Sequence, residues 1–220
     1  MSVDAILMDL DGTLVDTAPD LVAVLNTLLV DRSRPPVPFA IARNEVSNGA
    51  LGLLRLGFPE QDSDEELEPL RLEFLEVYTR DVCVHSRLFN GLETILSQLH
   101  ENMIPWGIVT NKPHSMTVPL LDALDLAYPP GCVVSGDRLP QRKPHPAPLR
   151  LGADELGMNA QRCVYVGDAL RDIDAGRAAG MPTIAAAYGY IRADDDPGQW
   201  GASAVIRRPG ELLEAVNALK

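Results

Sequence analysis

Ala5-Ile6-Leu7-Met8-Asp9-Leu10-Asp11-Gly12-Thr13-Leu14-Val15-Asp16 is the stretch on which the reading of this chain turns. An apolar run long enough for one buried strand empties into two aspartates at i and i+2 and then a glycine, the pattern of a strand followed by a sharp loop. Open α/β sheets place their chemistry at such carboxyl ends of strands. Two carboxylates so close repel each other, so the pair is costly unless a cation lies between them or one holds a proton. The plainer reading is an Asp-Gly turn without chemistry. The rest of the sequence decides between the two.

After residue 86 the pattern alternates. A helix over 92–101, with Ile95, Leu96 and Leu99 inward, precedes the strand Trp106-Gly107-Ile108-Val109-Thr110. Helices over 115–124, 146–156, 170–179 and 211–219 are interleaved with strands over 132–135, 163–167, 183–187 and 204–206. Strands alternating with helices imply an α/β fold, a Rossmann-like parallel sheet covered on both faces. Residues 16–85 read differently. A helix starts at Asp16-Thr17-Ala18-Pro19, with a capping side chain and an early proline, and runs to about residue 31, where Arg34-Pro35-Pro36-Val37-Pro38 ends the pattern. Short helical patterns over 39–57 break at Ser47-Asn48-Gly49. Asp62-Ser63-Asp64-Glu65-Glu66 opens a second long helix whose apolar face is Leu67, Leu70, Phe74, Val77 and Tyr78. The stretch is expected to be helical and strand-free, a small cap over 16–85 inserted into a core made of 1–15 and 86–220.

Composition excludes several classes. The 220 residues are 46% hydrophobic and 23% charged, with no apolar run near the roughly 18 residues that span a bilayer. Asp4 and Asp9 interrupt any signal-like N-terminus, so a cytoplasmic location is expected. Cys83, Cys132 and Cys163 are too few and too scattered for a disulfide framework or a zinc site, and read as reduced thiols. A formal net charge of −12 disfavours nucleic acid and anionic membrane as partners. An anionic substrate must therefore be attracted locally.

Four strand ends share one edge of such a sheet. The first carries Asp9 and Asp11. The second offers Thr110 and Asn111, a hydroxyl followed by a loop N–H, and the loop after the third contains Lys143 between Arg142 and Pro144. The fourth carries Asp168, with Asp172 one helical turn on. Converging carboxylates form the hard oxygen site that Mg2+ prefers. A hydroxyl, an N–H and a lysine suit a phosphoryl group. Charge favours a protonated Asp11: four aspartates against Lys143 and one Mg2+ leave a net negative site that would repel phosphate. A proton on Asp11 is also what an alkoxide leaving group needs, while an ionised Asp9 serves as nucleophile. Blander readings stand beside these: Lys143 as a solvated loop lysine, and Asp172 paired with Arg171 or Arg177. His85, His100, His114 and His145 show no ligand spacing, and Trp106 and Trp200 read as packing.

Asp9-Leu10-Asp11-Gly12-Thr13, Thr110-Asn111, Lys143-Pro144 and Gly167-Asp168 with Asp172 resemble, in order, the four motifs of the haloacid dehalogenase-like hydrolases. The resemblance implies a phosphomonoester hydrolase with Asp9 as phosphoryl acceptor and Asp11 as acid then base. It places Mg2+ on Asp9, the Asp11 backbone carbonyl and Asp168, with Asp172 ligating or supporting. Thr110, Asn111 and Lys143 would hold the phosphate, and the helical insertion resembles the family's small cap. Within the family the chain is similar to the phosphoglycolate phosphatase group. Local matches such as Val84-His85-Ser86 and Tyr188-Gly189-Tyr190-Ile191 imply N-acetylmuramic acid 6-phosphate, an ester of peptidoglycan recycling, as substrate, with 2-phosphoglycolate as the alternative. Arg43, Asn48 and Lys112 are candidate substrate contacts at the cap and its rim. Ala169 departs from the polar residue often found there, which weakens support for the metal. A monomer or homodimer is expected. A dehalogenase, a sugar phosphomutase and a non-catalytic sensor of the same fold are the competing readings.

Overall fold

The computed structural model describes residues 3–61 and 63–219. Asp62, at the head of the acidic run, lies outside them. Strand β1 (Ala5–Met8) is buried on both faces, as its unbroken apolar sequence requires. It lies between β4 (Trp106–Val109) and β6 (Cys163–Gly167), parallel to both. With β5 (Cys132–Val134), β7 (Thr183–Ala186) and β8 (Ala204–Ile206) these form a parallel sheet of order β5-β4-β1-β6-β7-β8. The strand order reverses at β1, and Met8 is level with Ile108 on one side and Val166 on the other. Asp9, Thr110 and Asp168 consequently leave the sheet at a common edge, at its switch point.

Period-two alternation supplies both faces of the sheet. Ile6, Met8, Ile108, Val164 and Val166 pack with Leu96 and Leu99 of α5 (Leu92–Glu101), Leu120 of α6 (His114–Leu124) and Val216 of α9 (Leu212–Ala218). Leu7, Val109 and Tyr165 face the other way, onto Leu149 of α7 (Ala147–Glu155) and Ala175 of α8 (Leu170–Ala179). Trp106 is buried in the first of these clusters, and Trp200 packs with Ile173 and Ala185. The three cysteines are free thiols; burial pushes Cys132 up to about 12 and Cys163 up to about 11. No helix among the described residues is long and apolar enough to cross a membrane.

Between β1 and β4 lie α1 (Ala18–Asp31), α2 (Phe39–Ala42), a 3-10 helix (Arg43–Asn48), α3 (Gly49–Gly57) and α4 (Asp64–Arg80). They share an apolar cluster of their own, with Leu25, Leu28, Leu53, Phe74 and Tyr78 at its centre. Helix α4 opens with a reciprocal cap: the Glu66 N–H donates to Ser63 Oγ and the Ser63 N–H donates to the Glu66 carboxylate, each at 3.2 Å. The strand-free expectation fails at the entry to this region. Strand β2 (Val15–Asp16) pairs antiparallel with β3 (Arg87–Leu88). Two-residue strands are too short to show periodicity in sequence. The buried Asp20 carboxylate fastens the return segment by accepting from the backbone N–H of His85 and Ser86 and from Ser86 Oγ.

The start of α1 also differs from expectation. Thr17 does not cap the helix with its side chain. The hydroxyl of Tyr190, from the loop after β7, accepts from the N–H groups of Thr17 (2.7 Å) and Ala18 (2.9 Å) and donates to Asp16 Oδ1 (2.8 Å). The Thr17 hydroxyl is thereby freed for Asp11.

Candidate active site

The loop after β1 can turn under the sheet edge because residue 12 is glycine. Its φ is +82°, and a Cβ there would meet Asp168 Oδ2 at 2.1 Å. Asp9 lies beside Lys143, whose ammonium is fully buried. Its Nζ sits 2.8 Å from Asp9 Oδ1, 2.8 Å from Asp172 Oδ1, 2.8 Å from the Tyr165 hydroxyl and 3.0 Å from the Val109 carbonyl. Burial works against the ammonium, and Asp172 and Asp9 outweigh it, so its pKa is raised. Asp9 Oδ1 also accepts from the Leu10 N–H at 2.8 Å. Asp9 Oδ2 is left without a partner among the described residues.

Asp172 does not pair with Arg171 or Arg177 in hydrogen-bond geometry. Oδ1 meets Lys143, and Oδ2 accepts from the Ala169 N–H at 3.1 Å, which ties the carboxylate to the start of α8. Asp168 Oδ2 accepts from Ser47 Oγ (2.7 Å) and the Tyr190 N–H (2.9 Å). Asp9, Asp168 and Asp172 each bring a carboxylate oxygen within 4.8 Å of the others. Burial and then the charges of Asp9 and Asp172 push Asp168 up to about 7. Three all-oxygen donors that repel one another in this way fit a hard divalent cation.

Asp11 is turned away from that triad. Its Oδ1 accepts from Thr17 Oγ1 at 2.6 Å and pairs with Lys112 Nζ at 3.0 Å. Thr110 Oγ1 accepts from the Lys112 N–H at 3.1 Å. The Asn111 amide is committed to backbone, donating to the Lys143 carbonyl and accepting from the Lys143 N–H, both at 3.0 Å. Its side chain thus holds the lysine loop rather than a phosphate. The backbone N–H groups of Asp11 and Asn111 make no hydrogen bond among the described residues.

A cavity of about 520 Å³ opens above these groups. Asp9, Asp11, Thr110, Asn111, Lys112 and Asn48 line it, while Lys143, Asp168 and Asp172 lie beneath. Asn48 donates to Glu45 at 2.9 Å. Arg43 is not part of the lining. Its guanidinium donates to the carbonyls of Gly189 (2.9 Å) and Tyr188 (3.3 Å) and stacks over the Tyr190 ring at 4.8 Å, so it joins the 3-10 helix to the loop after β7. Sequence reasoning passed over Arg71 and Arg142, which line the cavity, and Arg171, which lines it and donates to the Ser47 carbonyl at 2.5 Å. It also missed Ser47 and Tyr190, which share Asp168. Scattered arginines and a serine in a helical stretch carry no spacing signal.

Residues 6–186 match the haloacid dehalogenase-like hydrolase family. The chain is 39% identical over 218 residues to N-acetylmuramic acid 6-phosphate phosphatase of Pseudomonas putida, covering 99% of this chain and 98% of that protein. It is 43% identical over 210 residues to phosphoglycolate phosphatase of Xanthomonas campestris pv. campestris, covering 96% and 95% respectively. A solved structure described as a predicted phosphoglycolate phosphatase of Haemophilus somnus superposes with a TM-score of 0.85 at 27% identity, over 97% of this chain and 98% of that one. Four sequence motifs meeting at one sheet edge, a family match over most of the chain and full-length relatives agree: the chain belongs to the haloacid dehalogenase-like hydrolases.

Proposed function

We propose that this hydrolase cleaves a small phosphomonoester through an aspartyl-phosphate on Asp9. The observation that carries the reading is the asymmetry of Asp9: Oδ1 is pinned by Lys143 and the Leu10 N–H, while Oδ2 is free on a residue that lines the cavity. A carboxylate held by one oxygen presents the other as nucleophile. In the first half-reaction Asp9 Oδ2 bonds to phosphorus, the bond to the alcohol oxygen breaks, and Asp11 gives its proton to that oxygen. In the second, water attacks phosphorus, Asp11 takes the water's proton, and the bond to Asp9 breaks to release inorganic phosphate. Thr110 and the N–H groups of Asp11 and Asn111 are placed to receive phosphoryl oxygens.

Asp9 and Asp168, with the Asp11 backbone carbonyl, would hold Mg2+, and Asp172 supports the site through Lys143 and the start of α8. When bound, the ion supplies positive charge that offsets repulsion between the carboxylates and the phosphoryl group. The helices over 16–85 act as a cap that covers the alcohol and keeps bulk water from the first step.

The substrate this cavity suits best is N-acetylmuramic acid 6-phosphate. Its volume falls in the range of sites that enclose drug-sized ligands and is generous for a two-carbon acid. Leu21, Leu51, Leu75 and Met116 give it apolar wall, and Arg142, beside the Glu68-paired Arg71, adds a cation suited to a sugar acid's carboxylate. A second reading, 2-phosphoglycolate, draws on the Xanthomonas relative and the same cation. Phosphate release from both esters and from hexose phosphates, with and without Mg2+, tests the assignment. Fastest turnover of the sugar acid ester is expected; equal, very slow turnover of all would overturn it. A phosphomutase would instead regenerate a bisphosphate and release little phosphate.

A further inference from the structure

We infer that Lys112 is a positioning residue for Asp11, and that Tyr78 makes its hold conditional on the docked position of α4. The inference rests on the proposed acid–base role of Asp11. A lysine in a loop ordinarily keeps its ammonium in water. The side chain of Lys112 is only 4% exposed, and taking an ammonium out of water is costly unless it is compensated. Two groups compensate it. Asp11 Oδ1 lies 3.0 Å from Nζ, and the ring of Tyr78 lies beneath Nζ at 4.6 Å from its centroid.

The lysine is anchored at its backbone too. Its N–H donates to Thr110 Oγ1, and its carbonyl accepts from the Gly136 N–H at 2.8 Å and from Thr117 Oγ1 at 3.2 Å. Gly136 permits this approach, since a Cβ there would meet the Asn111 carbonyl oxygen at 2.1 Å. Tyr78, on α4, is itself fully buried; burial works against the Lys112 ammonium, and Asp11 and then Tyr78 outweigh it, so the lysine's pKa is raised. Tyr78 therefore meets the ammonium with its ring, whose centroid lies 4.6 Å from Nζ, and with its hydroxyl.

The geometry assigns a task to this pair. Thr17 Oγ1 and Lys112 Nζ both engage Asp11 Oδ1, which leaves Oδ2 without a partner among the described residues and the carboxyl fixed in rotation beside the cavity. When Asp11 has passed its proton to the alcohol oxygen, the ammonium stabilises the carboxylate that remains until water returns a proton. Lys112 comes from the core loop after β4 and Tyr78 from α4, so the contact exists only with the helices over 16–85 seated on the sheet edge. The ammonium is then occupied by Asp11 rather than by substrate.

Single-turnover kinetics on an alkyl phosphate and on p-nitrophenyl phosphate, whose leaving group departs without a proton, test this. Asp11→Asn sets the reference, with a large loss on the alkyl ester and a small one on the aryl ester. Lys112→Met is expected to reproduce that pattern with a roughly 10- to 100-fold lower rate on the alkyl ester and half-saturation changed less than about threefold. Lys112→Arg should stay within about threefold of the wild type, and Tyr78→Leu should fall toward Lys112→Met. Lys112→Arg and Tyr78→Leu keep the test open where Lys112→Met fails to fold. Equal losses on both esters, weaker half-saturation at an unchanged rate, or a wild-type Tyr78→Leu would overturn the inference. If Asp11→Asn itself showed no dependence on the leaving group, the acid reading would fall and this inference with it.

Discussion

Asp9, Lys143, Asp168 and Asp172 form one unit in which a single buried ammonium pairs with Asp9 and Asp172 while Asp168 brings a third carboxylate within reach of both. The carboxylates were legible in sequence because their spacing at strand ends left few other uses for them. The destinations of Asn111 and Arg43 were not. An amide that clasps the N–H and the carbonyl of one residue and a guanidinium that joins two loops look, in sequence, the same as substrate contacts. The shared charge has a consequence for pH. Asp168 is raised from 3.8 to about 7, so between those values the metal-free folded protein binds more protons than the unfolded chain. The Asp168 contribution to unfolding free energy therefore falls as pH rises from about 4 to about 7. Thermal melts of metal-free protein across that range should show a declining Tm, with Mg2+ raising Tm more at pH 7 than at pH 5. A Tm insensitive to Mg2+ at pH 7 would remove the cation from this site.

Long elements were readable from sequence and short ones were not. Apolar runs located β1, β4 and β6, and helical spacing and end signals located α1, α5 and α8, to within a residue or two, because each is long enough to bury a continuous set of side chains. Strands β2 and β3, at two residues each, bury too little to leave a pattern. The start of α1 was also misread: threonine is a common cap, but here a tyrosine 173 positions along the chain takes the helix N–H groups. Tyr190→Phe should cost about 0.5–2 kcal/mol, the usual range for losing a cap, seen as a lower denaturation midpoint at an unchanged m-value. An unchanged midpoint would show that solvent serves α1 equally well.

At the scale of the whole molecule, the net charge of −12 contrasts with a cavity that Arg71, Arg142, Arg171 and Lys112 line. Arg71 is paired with Glu68, Lys112 with Asp11, and Arg171 with the Ser47 carbonyl. Arg142 is exposed, and its guanidinium makes no hydrogen bond or ion pair among the described residues, which fits it to meet an incoming anion. Arg142→Ala should raise KM for an ester with a second anionic group by several-fold, with kcat nearly unchanged, and the effect should shrink at high salt. A fall in kcat alone would place Arg142 in positioning Lys143 instead. The central claim concerns Asp9 and is tested most directly by acid-quenching the enzyme during turnover of a substrate with a labelled phosphoryl group and mapping the label. The account predicts an acyl phosphate on the peptide that carries Asp9, lost in Asp9→Asn. Full turnover with no covalent label, and inversion rather than retention at phosphorus, would contradict it.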